Sequence, residues 1–197
     1  IDIMKGLDVD APNLADNLAD LLQEGDRETN IWPNDLVFAE KWKSEKQYRS
    51  GRQKRLVYIL TKVEPKLASE FSEGIEYKTP LTVEHIMPQS WTEHWPVIAV
   101  GNPDDEDYQD EAMLSFARDN AVNTFGNLTL LTQKLNSSVS NGPYDEKLAD
   151  INSHSRLTLN LELQEYFVWD ESSIRSRACR HSQLAVRIWK RPATVST

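Results

Sequence analysis

The 197-residue sequence has a single cysteine, Cys179. One thiol cannot close an internal disulfide, and it cannot build a cysteine-based zinc ribbon. Uninterrupted apolar runs are also missing. Nothing approaches the roughly 18 consecutive apolar residues of a membrane span, so no membrane partner is expected. No leader of basic, then apolar, then small residues opens the chain. It begins at Ile1, in "IDIMKGLDVD", without an initiator Met. That start is read as an excised or processed piece, and the low cysteine usage as the mark of a reducing, cytoplasmic setting. Internal repeats and low-complexity tracts are absent too.

What the sequence does have is apolar content of 39%, enough to bury a core in one large domain or in one domain with a small helical companion. The net charge of −9 argues at first against a polyanionic partner. The charges, however, come in blocks. Residues 1–28 hold eight acids against two bases, and residues 102–119 hold seven acids against Arg118. Residues 41–66 hold nine bases against two acids, and residues 170–197 hold six against two. Two basic blocks on an acidic chain can form a local groove for a polyanion, or they can be ordinary solvated helix faces.

Hydrophobic spacing predicts helices over most of the chain. "APNLADNLADLLQEG" carries Leu14, Leu18, Leu21 and Leu22 on one stripe, with Gly25 past its end. "WPNDLVFAEKWKSEKQYRS" starts after Pro33 with Asn34 or Asp35 as its cap, and "RQKRLVYILTKVEPKLASEF" is expected to break before Pro65. Residues 1–75 are therefore read as a helical support region. The texture then changes over residues 76–197. "PLTVEHI" and "GNLTLLT" read as two short strands, the second behind a Gly-Asn turn signal. "EAMLSFARD" and "DEKLADINS" read as short helices, and "QKLNSSVSNG" as a short helix or turn. "DESSIRSRACRHSQLAVRIWKRP" reads as a long one, buried along Ile174, Ala178, His181, Ala185 and Ile188. The expected fold class is α+β, mostly helical, with one small hairpin.

Chemistry concentrates around that hairpin. The first strand ends in Glu84 and His85, Asn127 opens the second, and Asn136 follows it. An imidazole with an ordinary pKa near 6.5 is largely an unprotonated base at neutral pH. A carboxylate and an amide carbonyl are hard oxygen ligands suited to Mg²⁺. A base for water and a seat for a hard cation are what phosphodiester hydrolysis needs. Adjacent strand residues point to opposite faces, so both side chains can serve one point only if the strand ends or bulges there, as Pro88 allows. His94 is expected to pack between Trp91 and Trp95, His154 to lie on the surface and His181 in a helix core. Lys134 and Lys147 stand close enough to hold phosphate, and Arg177, Arg180 and Arg187 are candidates to grip a nucleic-acid backbone.

"VEHIMPQ", "FGNLTLLTQKLNSSVSN" and "PYDEK" resemble the HNH, or His-Me finger, nuclease domain at the C-terminus of GmrSD-type restriction endonucleases and of the related SspE-like phage-defence proteins. Outlying segments extend the resemblance to roughly Ile31–Arg191. It implies a ββα-metal core embedded in helices, and metal-dependent cleavage or nicking of DNA that leaves 5′-phosphate and 3′-hydroxyl ends. By position His85 resembles the general base, Asn127 the residue bracing the loop that holds it, and Asn136 a ligand of one divalent metal, Mg²⁺ or Mn²⁺. The nine residues from Asn127 to Asn136 are similar to the spacing in RNA-guided CRISPR nucleases. Glu84 stands where the family often has a metal-touching Asp, and the longer side chain is a departure. The insertion of about forty residues between His85 and Asn127 and the lack of zinc-binding cysteines depart from minimal HNH modules. The resemblance further implies a separate nucleotide-hydrolysing sensor domain, N-terminal in the whole protein, and phosphorothioate- or base-modified or phage DNA as target. A non-catalytic module that docks DNA or a partner domain, and an RNA-cleaving nuclease, remain the alternatives.

Overall fold

A computed structural model describes residues 8, 10–23, 31–68, 79–106, 108–139 and 141–192. Gly25 and the boundary near residue 75 lie outside them. The helices are α1 (Leu14–Gln23), α2 (Asp35–Ser44), α3 (Gln53–Leu67), α4 (Glu111–Ala121), α5 (Gln133–Ser138), α6 (Tyr144–His154), α7 (Thr158–Leu161) and α8 (Glu171–Ile188). The strands are β1 (Leu81–His85) and β2 (Leu128–Thr132). They pair antiparallel, from Leu81 opposite Thr132 to His85 opposite Leu128, and α5 follows β2 without a linker. The architecture is α+β, mostly helical around one two-stranded sheet.

Local chemistry explains the ends of these elements. Asn34 caps α2 by accepting from Val37 N at 2.9 Å, Asp110 caps α4 through Met113 N, and Asp170 caps α8 through Ser173 N. Contrary to the expected break, α3 runs through Pro65 to Leu67. The ring sits in the last turn, where a proline forgoes a single helical bond at the point of fraying.

Both faces of the sheet are covered. Val83, Leu128 and Leu130 pack with Trp42, Leu56, Leu60 and Val63 from α2 and α3 and with Ala185 from α8. Leu131 belongs to a second core with Ile86, Met87, Leu135, Ile151 and Trp169. Of the expected α8 stripe, Ile174, Ala178, His181 and Ala185 are buried and Ile188 partly so. No described helix is long and apolar enough to cross a membrane.

Candidate active site

Strand alternation places consecutive side chains of β1 on opposite sides. Val83 and His85 are buried on the side of α2 and α3, while Thr82 and Glu84 turn toward α5 and α6. Two clusters result, one on each side of the strand end.

The first surrounds His85. Its Nε2 lies 3.2 Å from Asn123 Oδ1, which also accepts from Gln89 Nε2 at 2.9 Å. A carbonyl oxygen only accepts, so Nε2 carries the proton and Nδ1 keeps its lone pair. The Tyr48 ring meets the imidazole edge-on, with centroids 4.4 Å apart. Burial lowers the His85 pKa to about 4, opposed by the Asn123 hydrogen bond and assisted by the Lys147 charge. The ring is therefore neutral at physiological pH. The backbone of Asn123 fixes Tyr48 in turn, because its carbonyl accepts from Gln47 N at 2.8 Å and Tyr48 N at 3.1 Å.

The second cluster joins Thr82, Glu84, Asn136 and Lys147. Asn136 Nδ2 donates to Thr82 Oγ1 at 2.9 Å and to Val83 O at 3.1 Å. Both bonds run from the nitrogen, and Oδ1 has no protein partner among the described residues. Lys147 Nζ donates to Glu84 Oε1 and to His85 O, each at 2.6 Å. Its ammonium is wholly enclosed, and burial lowers its pKa against the pull of Glu84. No described contact joins the His85 ring to Asn136.

Asn127 ties the clusters together. Its Oδ1 accepts from Met87 N and Trp169 Nε1, and its Nδ2 donates to Met87 O and Val122 O, all at 2.8 Å. Its own carbonyl accepts from Ile86 N. Every hydrogen-bonding site of the amide is thus used, two of them on Met87 in the loop that leaves His85. Asn127 lies in the turn Phe125–Asn127, whose Gly126 admits no side chain: a Cβ there would stand 2.1 Å from Ile174 O.

Two candidate nucleic-acid contacts are corrected. Arg177 is fully buried, donating to Gly126 O, Leu128 O, Leu159 O and Glu162 Oε1 at 2.7–3.0 Å. It braces the Asn127 turn from α8 and faces no ligand. Lys147 is likewise internal, held by Glu84. His94 does not pack between the tryptophans; it lies exposed, 3.8 Å from Glu93. Arg180 is half-exposed and paired with Glu165, Arg187 lies on the surface beside Lys66 and Arg180, and Lys134 is exposed near His154.

Sequence reasoning passed over Asn123 and Tyr48, and it gave the basic block over residues 41–66 no fixed place, whereas the structure sets its middle part at the turn between α2 and α3 and the first turn of α3. There Lys46, Arg49, Arg52 and Arg55 line one groove, next to the Tyr48 that touches His85. The density of bases over residues 41–66 was the available signal. Lys43, in contrast, pairs with Glu40 within α2, and Lys41 with Glu45 just past its end.

The Asn136 Oδ1 and the Glu84 oxygen that Lys147 leaves open are hard donors of the kind that could hold a divalent cation. Three or more His, Cys, Asp or Glu side chains do not converge among the described residues, so water and phosphate would complete such a shell.

Fold and site together define a mostly helical α+β unit in which the buried His85 imidazole and the Asn136 and Glu84 oxygens lie on opposite sides of one strand end. The chain belongs to the family of C-terminal domains of GmrSD restriction endonucleases, whose family model matches residues 32–180. The resemblance to the C-terminal domain of GmrSD restriction endonucleases is thereby confirmed. Neither the curated proteins nor the solved structures yield a match.

Proposed function

We propose that this chain is the nuclease part of a restriction or anti-phage system, of the HNH or His-Me finger kind, and that it hydrolyses phosphodiester bonds in DNA. Family membership supports the endonuclease class. The observation that carries the mechanism is the Nε2–H of His85 held by Asn123, which leaves Nδ1 to receive a proton from water. The scissile phosphate lies across the end of β1, with His85 on one side and Asn136 on the other. Water attacks phosphorus as its proton passes to Nδ1. The bond to the 3′ oxygen breaks, and that oxygen takes a proton from solvent, giving 5′-phosphate and 3′-hydroxyl ends. Asn136 and Glu84 would hold Mg²⁺ or Mn²⁺, which would neutralise charge on the phosphate oxygens as the leaving group departs. Asn127 keeps the His85 loop in place, and the Lys46–Arg55 groove receives the backbone. A nucleotide-hydrolysing sensor domain elsewhere in the whole protein would direct the cut to modified or phage DNA.

Supercoiled plasmid incubated with the protein and Mg²⁺ or Mn²⁺ should acquire nicks, and these should vanish with chelator and with His85→Ala. Equal cleavage by His85→Ala overturns the assignment. Salt-dependent DNA binding without cleavage under any divalent metal would instead mark a docking module, and a plasmid–RNA substrate panel separates DNA from RNA cleavage.

A further inference from the structure

A cavity of about 370 Å³ opens beside the His85 cluster, at the lower end of the range of small-ligand sites. Trp42, Tyr58, Phe125 and Trp189 supply aromatic walls, and Gln47 and Arg55 supply polar ones. Trp42 stacks on Phe125 with centroids 4.0 Å apart, and Trp189 lies 6.1 Å from Trp42 at a tilt. Trp42 is only 4% exposed, yet its indole Nε1–H has no acceptor among the described residues. A sheltered donor left unpaired is costly unless something brings it an acceptor. Gln47 and Arg55 also line the basic groove with Lys46, Arg49 and Arg52, so cavity and groove share a wall. That wall touches the site, because Gln47 N and Tyr48 N donate to Asn123 O and Tyr48 contacts His85.

We propose that this cavity receives one unstacked nucleobase of the strand lying in the basic groove. The proposal rests on the nuclease reading for the strand's presence near His85. Flat aromatic walls offer a π-face to any base, the Trp42 Nε1–H and the Gln47 amide can meet its polar edge, and the adjoining cations hold the phosphates on either side. An uncharged apolar ligand would leave both the indole donor and the cations unused. Taking a base out of the stack favours single-stranded, mismatched or otherwise weakened substrate over perfect duplex.

The test uses the whole chain in chelator, so that binding is read without cleavage. Fluorescence anisotropy compares a labelled single-stranded oligonucleotide with one of equal length whose bases are replaced by abasic sites. The base-bearing strand should bind roughly tenfold tighter. Tyr58→Ala, at a ring that is 56% exposed and outside the core, should reduce that preference several-fold without changing abasic binding, and Tyr58→Phe should restore it. Added thymidine 5′-monophosphate should shift the Trp42 indole N–H resonance. Equal binding of the two strands, no binding of either, equal weakening of both by Tyr58→Ala, or an unmoved Trp42 resonance overturns the proposal. His85→Ala should keep the preference for bases while losing cleavage, so failure of the base pocket and failure of the nuclease assignment are read separately.

Discussion

His85 owes its character to neighbours that no local pattern announces. Asn123 accepts from its ring across 38 positions of sequence and so selects the tautomer. Asn123→Ala should lower the nicking rate roughly 10- to 100-fold, less than the ~100- to 10,000-fold of losing a general base outright, with little effect on DNA affinity. Asn123→Asp, which retains an acceptor oxygen, should recover part of it. Burial has a second effect, on stability. The unfolded chain takes up a proton at His85 near pH 6.5, whereas the folded one resists until about pH 4. Stability should hold above pH 6.5 and fall by about 3 kcal/mol as pH drops to 4. His181, held neutral by burial and by the Arg177 charge, adds to the same loss. At Glu162 burial would raise the carboxyl pKa, but Arg177 and the His181 hydrogen bond bring it down to about 2, so a further decline follows between pH 4.5 and 2. Urea unfolding across pH 7 to 2 reads both steps; a flat profile contradicts the buried assignments.

The elements were legible where residue type and spacing agreed. The strand-like run before Pro88 and the Gly-Asn signal both correspond to real elements. Legibility failed where spacing said buried and residue type said exposed. Arg177 lies three residues after Ile174 and four before His181, squarely on the buried stripe of α8, and Lys147 stands four before buried Ile151. Charge made both look like surface contacts, but Arg177 meets the buried Glu162 carboxylate and three backbone carbonyls, and Lys147 meets the partly buried Glu84 carboxylate and His85 O. A buried cation with a full set of acceptors is stable where an unpaired one is not. The Asn127 turn shows the opposite dependence, on the absence of a side chain. Gly126→Ala should cost about 3 kcal/mol, at the upper end of overpacking, because the clash is with Ile174 backbone and not a side chain that can rotate away. Chemical denaturation measures it, and a cost under about 1 kcal/mol would mean that α8 can move off the turn.

Across the whole molecule, net charge misleads and charge placement informs. The chain is acidic at −9, yet Lys46, Arg49, Arg52 and Arg55 are gathered into one groove next to Tyr48, whose ring contacts His85. Each of these that meets a phosphate should contribute about one unit to the salt dependence of DNA binding. Replacing Arg49 and Arg52 by Ala should flatten the plot of log K against log [salt] by about two units and weaken all DNA sequences alike. An unchanged slope places the nucleic acid elsewhere. That the bases of residues 41–66 were clustered was plain from the sequence. Which of them are spent on Glu40 and Glu45 was not, since pairing depends on side-chain geometry.

The buttress that α8 gives the Asn127 turn also sets an order of assembly. Arg177 reaches back 51 residues to Gly126 O, and Trp169 reaches back 42 to Asn127. A growing polypeptide therefore emerges with its histidine, its hairpin and both asparagines complete, but without the helix that holds them in register. Contacts so far apart along the chain close late. Cutting power should arrive only once translation has passed residue 177 and α8 has docked, so that ribosome-bound chains halted earlier leave DNA intact.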